Sequence, residues 1–142
     1  MVSKMILIVD DDPDVRLGMH VRLKASGYDT CFGVDALSAV SEARKQKPDL
    51  IILDLGLPAG DGYVVMERLS NIAALSVIPI IVVSARDVRA NQERAIKAGA
   101  KAFLQKPVDN AELLAVIERA LGGSTEQSPQ AEPWPVVNPT VR

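Results

Sequence analysis

Three acids, a hydroxyl and an amine stand at the ends of short apolar runs. Met5-Ile6-Leu7-Ile8-Val9 stops at Asp10-Asp11-Asp12, and Leu50-Ile51-Ile52-Leu53 stops at Asp54. Ile80-Ile81-Val82-Val83 stops at Ser84, and Ala102-Phe103-Leu104-Gln105 stops at Lys106-Pro107. Such groups gathered in one crevice could bind a divalent cation and handle a phosphoryl group. Two carboxylates about 4 Å apart repel by roughly 4 kcal/mol at an effective dielectric near 20. Asp10, Asp11 and Asp54 together therefore call for a cation or for shifted pKa values. A donor set of oxygens with high charge suits Mg²⁺, which keeps several waters and accepts phosphate oxygens, with Mn²⁺ as a substitute. Lys106 could pair with Asp54 and then with a phosphoryl oxygen attached to it. An X-Pro bond can be cis at modest cost, which lets a tight turn aim the Lys106 side chain. Ser84 could donate a hydrogen bond to another such oxygen.

These groups meet only if the apolar runs lie side by side. Strands are expected near residues 5–9, 28–33, 49–53, 79–83 and 101–105. Helices are expected between them, near 13–26, 35–46, 61–73, 87–98 and 109–121. The first helix has Asp12 as N-cap and Pro13 at its first position, with Gly27 just past its end. Ala36, Ala39, Val40 and Ala43 follow the i, i+3, i+4, i+7 spacing of one helical face. The runs at 6–9, 50–53 and 80–83 are apolar throughout, which suits a sheet covered on both faces. Five βα units predict a single doubly wound α/β domain with a parallel, flavodoxin-like sheet and right-handed crossovers. In strand order 2-1-3-4-5, ligands bind outside the carboxyl ends where the order reverses, between the first and third strands. Asp10 and Asp11 would then face Asp54. One side chain suffices for an N-cap, so Asp12 alone fills that role and its two neighbours are surplus to it.

Composition narrows the function classes. The 142 residues are 48% hydrophobic and 4% aromatic, so the core is expected from Val, Ile, Leu and Ala. A net charge of −2 with interspersed signs gives no basic footprint for nucleic acid. A single cysteine, Cys31, excludes an intramolecular disulfide and reads as a buried thiol in a strand. No stretch approaches the roughly 20 apolar residues of a membrane span, and no signal peptide shows, so a soluble cytoplasmic protein is expected. The character changes at Gly122: residues 1–121 read as the domain and 122–142, with Pro129, Pro133, Pro135 and Pro139, as a flexible tail or linker. Trp134 lies in that tail, as a solvated side chain or an anchor. His20, on the first helix, reads as a solvated surface residue.

The landmarks Ile8-Val9-Asp10-Asp11-Asp12-Pro13, Asp54-Leu55-Gly56-Leu57-Pro58 with Asp61-Gly62, Val83-Ser84-Ala85 and Lys106-Pro107 resemble the receiver domain of two-component response regulators over about residues 4–121. The resemblance implies that Asp54 takes a phosphoryl group from a phosphohistidine on a sensor kinase or phosphotransfer protein. It implies Mg²⁺ held by Asp10, Asp11, Asp54 and the backbone carbonyl of Gly56, with Ser84 and Lys106 contacting phosphoryl oxygens. Such a domain catalyses its own phosphorylation and slow hydrolysis of the acyl phosphate, without turning over as an ordinary enzyme. Phe103 stands where the family has its switching aromatic, filling space that the Ser84 hydroxyl vacates. The surface of the fourth helix, fifth strand and fifth helix would then change toward a partner, a second copy of the chain or an output domain. Gly56 and Arg86 are the positions that would tune phosphoryl lifetime, Arg86 by reaching a phosphoryl oxygen or standing in solvent.

Three other readings compete. A phosphatase with an aspartyl nucleophile usually carries a second acid two residues on, where Gly56 stands. A flavin-nucleotide binder would need a Ser/Thr/Gly-rich phosphate loop after the first strand, and Asp10-Asp11-Asp12 would repel the phosphate. A phosphorylation-independent, receiver-like interaction module would not need the full set of site residues that this sequence holds.

Overall fold

Each apolar run becomes a strand, because alternate side chains point to opposite faces and both faces are covered. The computed structural model describes residues 3–58 and 61–122; the expected tail from Gly123 on, with Trp134, lies outside them. The chain runs β1 (Met5–Val9), α1 (Pro13–Ala25), β2 (Asp29–Gly33), α2 (Ala36–Gln46), β3 (Leu50–Leu53), α3 (Gly62–Ser70), β4 (Ile80–Ser84), α4 (Val88–Lys97), β5 (Ala102–Gln105) and α5 (Asn110–Leu121). The five strands form one parallel sheet in the order β2-β1-β3-β4-β5. On one face Leu7, Val9, Ile51, Leu53, Ile80, Val82 and Phe103 pack with α2, α3 and α4. On the other, Ile6, Ile8, Leu50, Ile52, Ile81, Val83, Ala102 and Leu104 pack with α1 and α5. Fully burying one such side chain contributes roughly 1.5–3 kcal/mol, so the two-faced core of the sheet carries much of the packing energy among the described residues.

Capping fixes where the helices begin. The Asp12 carboxylate accepts the Asp14 N–H, and Pro13 opens α1. Asp35 and Ser38 form a reciprocal capping box on α2. Asp61 accepts the N–H groups of Tyr63 and Val64 at the start of α3, and Asp109 that of Glu112 in α5. Only α4 begins without a side-chain cap bond among these helices.

The third helix is shorter than the 61–73 expected. It ends at Ser70, and the N–H groups of Asn71 and Ile72 bond back three residues, to Arg68 and Leu69. The chain tightens into successive turns there, which lets Ile72 and Ile78 reach the core from outside a helix. His20 also departs from expectation. Its Nδ1 lies 2.7 Å from the Thr30 hydroxyl, and its ring meets Phe32 edge-on at 5.7 Å. It is a half-buried packing residue between α1 and the edge strand β2, not a solvated one.

Candidate phosphoryl and metal site

Sheet register brings the polar strand ends together. Val9 pairs with Leu53, so Asp10 and Asp54 each follow a residue of the same rung. The Asp54 N–H then donates to the Val9 carbonyl at 2.9 Å, and the Asp10 N–H to the Gly33 carbonyl at 3.1 Å. Ser84 pairs with Gln105, and the Lys106 N–H donates to the Ser84 carbonyl at 2.9 Å. The Lys106–Pro107 bond is cis.

Carboxylate oxygens of Asp10, Asp11 and Asp54 lie within 4.8 Å of one another. Asp10 is 2% exposed and Asp54 8%, while Asp11 is open to solvent. Asp10 Oδ1 accepts the Asp12 N–H at 2.9 Å, and Asp54 Oδ1 accepts the Gly56 N–H at 3.2 Å. The other oxygen of each turns to Lys106: the ammonium stands 2.8 Å from Asp10 Oδ2 and 3.4 Å from Asp54 Oδ2. Its closer partner is therefore Asp10, where the sequence suggested Asp54. Burial by itself pulls the Lys106 pKa down. The Asp10 hydrogen bond and the charges of Asp54 and Asp10 outweigh that, so the net shift is upward and the ammonium stays charged.

The chemistry of this donor set fits Mg²⁺. Two buried carboxylates and one exposed one offer oxygens alone, at separations one ion can span, and the exposed side leaves room for water ligands. The Gly56 amide bond to Asp54 keeps the Gly56 backbone beside the same carboxylate.

Other sequence candidates fall into place around this cluster. Ser84 is 1% exposed, and its hydroxyl accepts the Arg86 N–H at 3.1 Å. Arg86 neither enters the carboxylate cluster nor stands free: its Nη1 meets Asp61 Oδ2 at 3.5 Å. Phe103 is fully buried in the α2–α4 face of the core. A β-carbon on Gly56 would meet the Asp54 carboxylate oxygens at 4.0 Å, an ordinary contact, so a side chain is accommodated there.

Asp61 and Gly62 have structural roles beyond that of sequence landmarks. A β-carbon on Gly62 would stand 2.7 Å from the Asp54 carbonyl oxygen and 2.9 Å from Leu55 Cα. Only glycine lets the start of α3 approach the backbone of Asp54 so closely. The Asp-Gly pair just before an apolar helical stretch was the available signal, as a cap followed by a close approach.

Residues 6–118 match the family model described as the response regulator receiver domain. The chain is 37% identical over 126 residues to the DNA-binding dual master transcriptional regulator RpaA of Synechocystis, covering 89% of this chain and 52% of that protein. It is 32% identical over 118 residues to protein PilH of Pseudomonas aeruginosa, covering 83% of this chain and 98% of PilH. The chain spans about half the length of several curated transcriptional regulators that it matches. Among solved structures it superposes with the receiver domain of a Pseudomonas aeruginosa sensor histidine kinase, which has a magnesium ion coordinated in its active-site cleft. That match has a TM-score of 0.79 and 30% identity, and covers 85% of this chain and 99% of the other. With its sheet order, its acidic cluster and this family match in agreement, the chain belongs to the response regulator receiver domain family.

Proposed function

We propose that Asp54 is the phosphoacceptor of this receiver, taking its phosphoryl group from a phosphohistidine of a sensor kinase or phosphotransfer protein. The observation that supports this most is the Lys106 ammonium standing between Asp10 and Asp54 at 2.8 and 3.4 Å, with Asp11 alongside. Carboxylate is a weak nucleophile, but phosphoryl transfer needs positioning and charge neutralisation more than nucleophilic force. A bond forms between an Asp54 carboxylate oxygen and phosphorus as the phosphorus–nitrogen bond of the donor breaks, and the imidazole leaves and takes up a proton. Gly56 and Lys106 hold the Asp54 carboxylate from its two sides before transfer. Lys106 then moves from sharing two carboxylates to facing a phosphoryl oxygen, and the Ser84 hydroxyl donates to another.

Asp10, Asp11, Asp54 and the Gly56 carbonyl would hold Mg²⁺, with Mn²⁺ as a substitute. Bound there, the ion supplies neutralising charge and an anchor for a phosphoryl oxygen. The domain modifies itself and slowly hydrolyses the acyl phosphate, and its output leaves through the surface of α4, β5 and α5, with Phe103 as the buried packing element. That surface would meet a downstream protein, an output domain or a second copy of the chain on activation. Residues 1–121 would carry these functions; the expected tail or linker over 122–142 lies, from residue 123 on, outside the described residues. The expected compartment is the cytoplasm; among the described residues no helix is long and apolar enough to cross a membrane.

Incubation with acetyl phosphate and Mg²⁺, followed by intact mass, tests the reading. One phosphate adduct is expected on the native chain and none on Asp54→Asn. An unmodified native chain would leave a phosphorylation-independent interaction module as the better account.

A further inference from the structure

One helix of the proposed output surface, α4, is the helix among the five whose start lacks a side-chain cap bond. Only Val88 and Ala95 of α4 are buried, against five residues of the shorter α3. Gln92 of α4 leaves its Nε2 buried without a hydrogen-bond partner among the described residues. An unpaired buried donor is a cost that another position of the helix could relieve. Beyond the core packing of Val88 and Ala95, α4 is tied to α3 by the contacts of one residue. The Tyr63 hydroxyl donates to Asn91 Oδ1 at 3.0 Å and lies 3.3 Å from the Asn91 carbonyl, and the Arg94 guanidinium sits 3.7 Å over its ring centre.

Tyr63 is two residues past Asp61, which caps it through its N–H and holds Arg86. The Arg86 N–H in turn is bonded to the Ser84 hydroxyl. A Ser84 hydroxyl that swings to a phosphoryl oxygen moves the atom that the Arg86 amide is bound to. New negative charge on Asp54 also competes with Asp61 for the Arg86 guanidinium. Both changes act on the loop that leads into α4.

Resting on the phosphoacceptor reading of Asp54, we propose that Tyr63 is a positioning residue that latches α4 in the unphosphorylated arrangement through Asn91 and Arg94. Phosphorylation loosens α4 against this latch by way of Ser84, Arg86 and Asp61. The latch thus sets how far α4 responds to the event at Asp54.

Hydrogen exchange of α4, with and without acetyl phosphate and Mg²⁺, tests the proposal, with intact mass reporting loading of the same samples. In the native chain, loading is expected to speed exchange of the α4 amides. Tyr63→Phe removes both hydroxyl contacts and keeps the ring; Arg94→Gln removes the cation from an exposed position. Each should speed α4 exchange about fivefold before loading, the ratio expected from losing a typical net hydrogen bond or cation–π contact, and shrink the further effect of loading. Arg94→Lys keeps a cation over the ring and should restore the native difference. Native-like α4 exchange in both variants, or α4 exchange in the loaded native chain no faster than before loading, overturns the latch alone. A native chain that takes up no phosphate overturns the phosphoacceptor reading and the link resting on it.

Discussion

Lys106 offsets the repulsion between two carboxylates that the fold forces together, and this makes its removal informative. Lys106→Met leaves Asp10 buried with its charge uncompensated on one side. In metal-free buffer the variant should lose about 1–3 kcal/mol, the usual cost of orphaning a buried group, and Mg²⁺ should recover part of it. Urea unfolding with and without Mg²⁺ measures both. Gly56 tells a different story. Because an added β-carbon finds the Asp54 oxygens at 4.0 Å, Gly56→Asn should fold normally and change the decay rate of the acyl phosphate, read by intact mass over time. An unchanged decay would make that position inert. Cys31 makes the fold sensitive to high pH. Burial first, and the Glu42 charge second, push its thiol up to about 11 from 9.0. Any stability linked to this thiol is therefore fully present below pH 9 and is lost as pH rises toward 11. Alkylation of the folded chain should keep accelerating through pH 9 and level off only near 11; a plateau at 8 to 9 would contradict the burial argument.

At the scale of elements, the site depends on how closely α3 approaches β3. A β-carbon at Gly62 meets backbone atoms at 2.7 and 2.9 Å, and backbone cannot swing aside as a side chain can. Gly62→Ala should therefore cost about 1–3 kcal/mol, the usual range for overpacking, and should slow modification of Asp54 as well. A denaturation midpoint equal to that of the native chain would show that the loop yields freely. Strands were legible here because their signal is local: an unbroken apolar run ending at a polar residue. The first helix was equally plain, since Asp12, Pro13 and Gly27 punctuate both of its ends. The end of α3 was not, because Asn71, Ile72 and Ala73 continue an acceptable helical pattern. Tertiary packing of Ile72 and Ile78 decided that boundary.

For the whole molecule, parallel pairing and strand order turn a list of distant residues into one crevice. Asp10, Asp54 and Lys106 could be anticipated together because each ends a strand, and a parallel sheet aligns such ends along one edge. The pairing of Arg86 with Asp61 and of Tyr63 with Asn91 and Arg94 could not. Those contacts join side chains of separate loops and helices, whose relative distance no spacing in the sequence encodes. The burial of His20 is hidden from the sequence for the same reason, since Thr30 and Phe32 approach it only across a tertiary interface. Mg²⁺ binding should be linked to stability of the whole fold: at a hundred times its dissociation constant, a ligand of the native state alone adds about 2.7 kcal/mol. Asp11→Ala removes an exposed carboxylate, so it should leave metal-free stability nearly unchanged and diminish the gain from Mg²⁺, as calorimetry would show. The identity of the atom that carries the phosphoryl group decides between receiver and interaction module. Borohydride reduces an acyl phosphate to the alcohol, so phosphorylated protein treated this way and digested should yield homoserine at position 54. Homoserine elsewhere, or a phosphate adduct that borohydride leaves untouched, would contradict Asp54 as the acceptor.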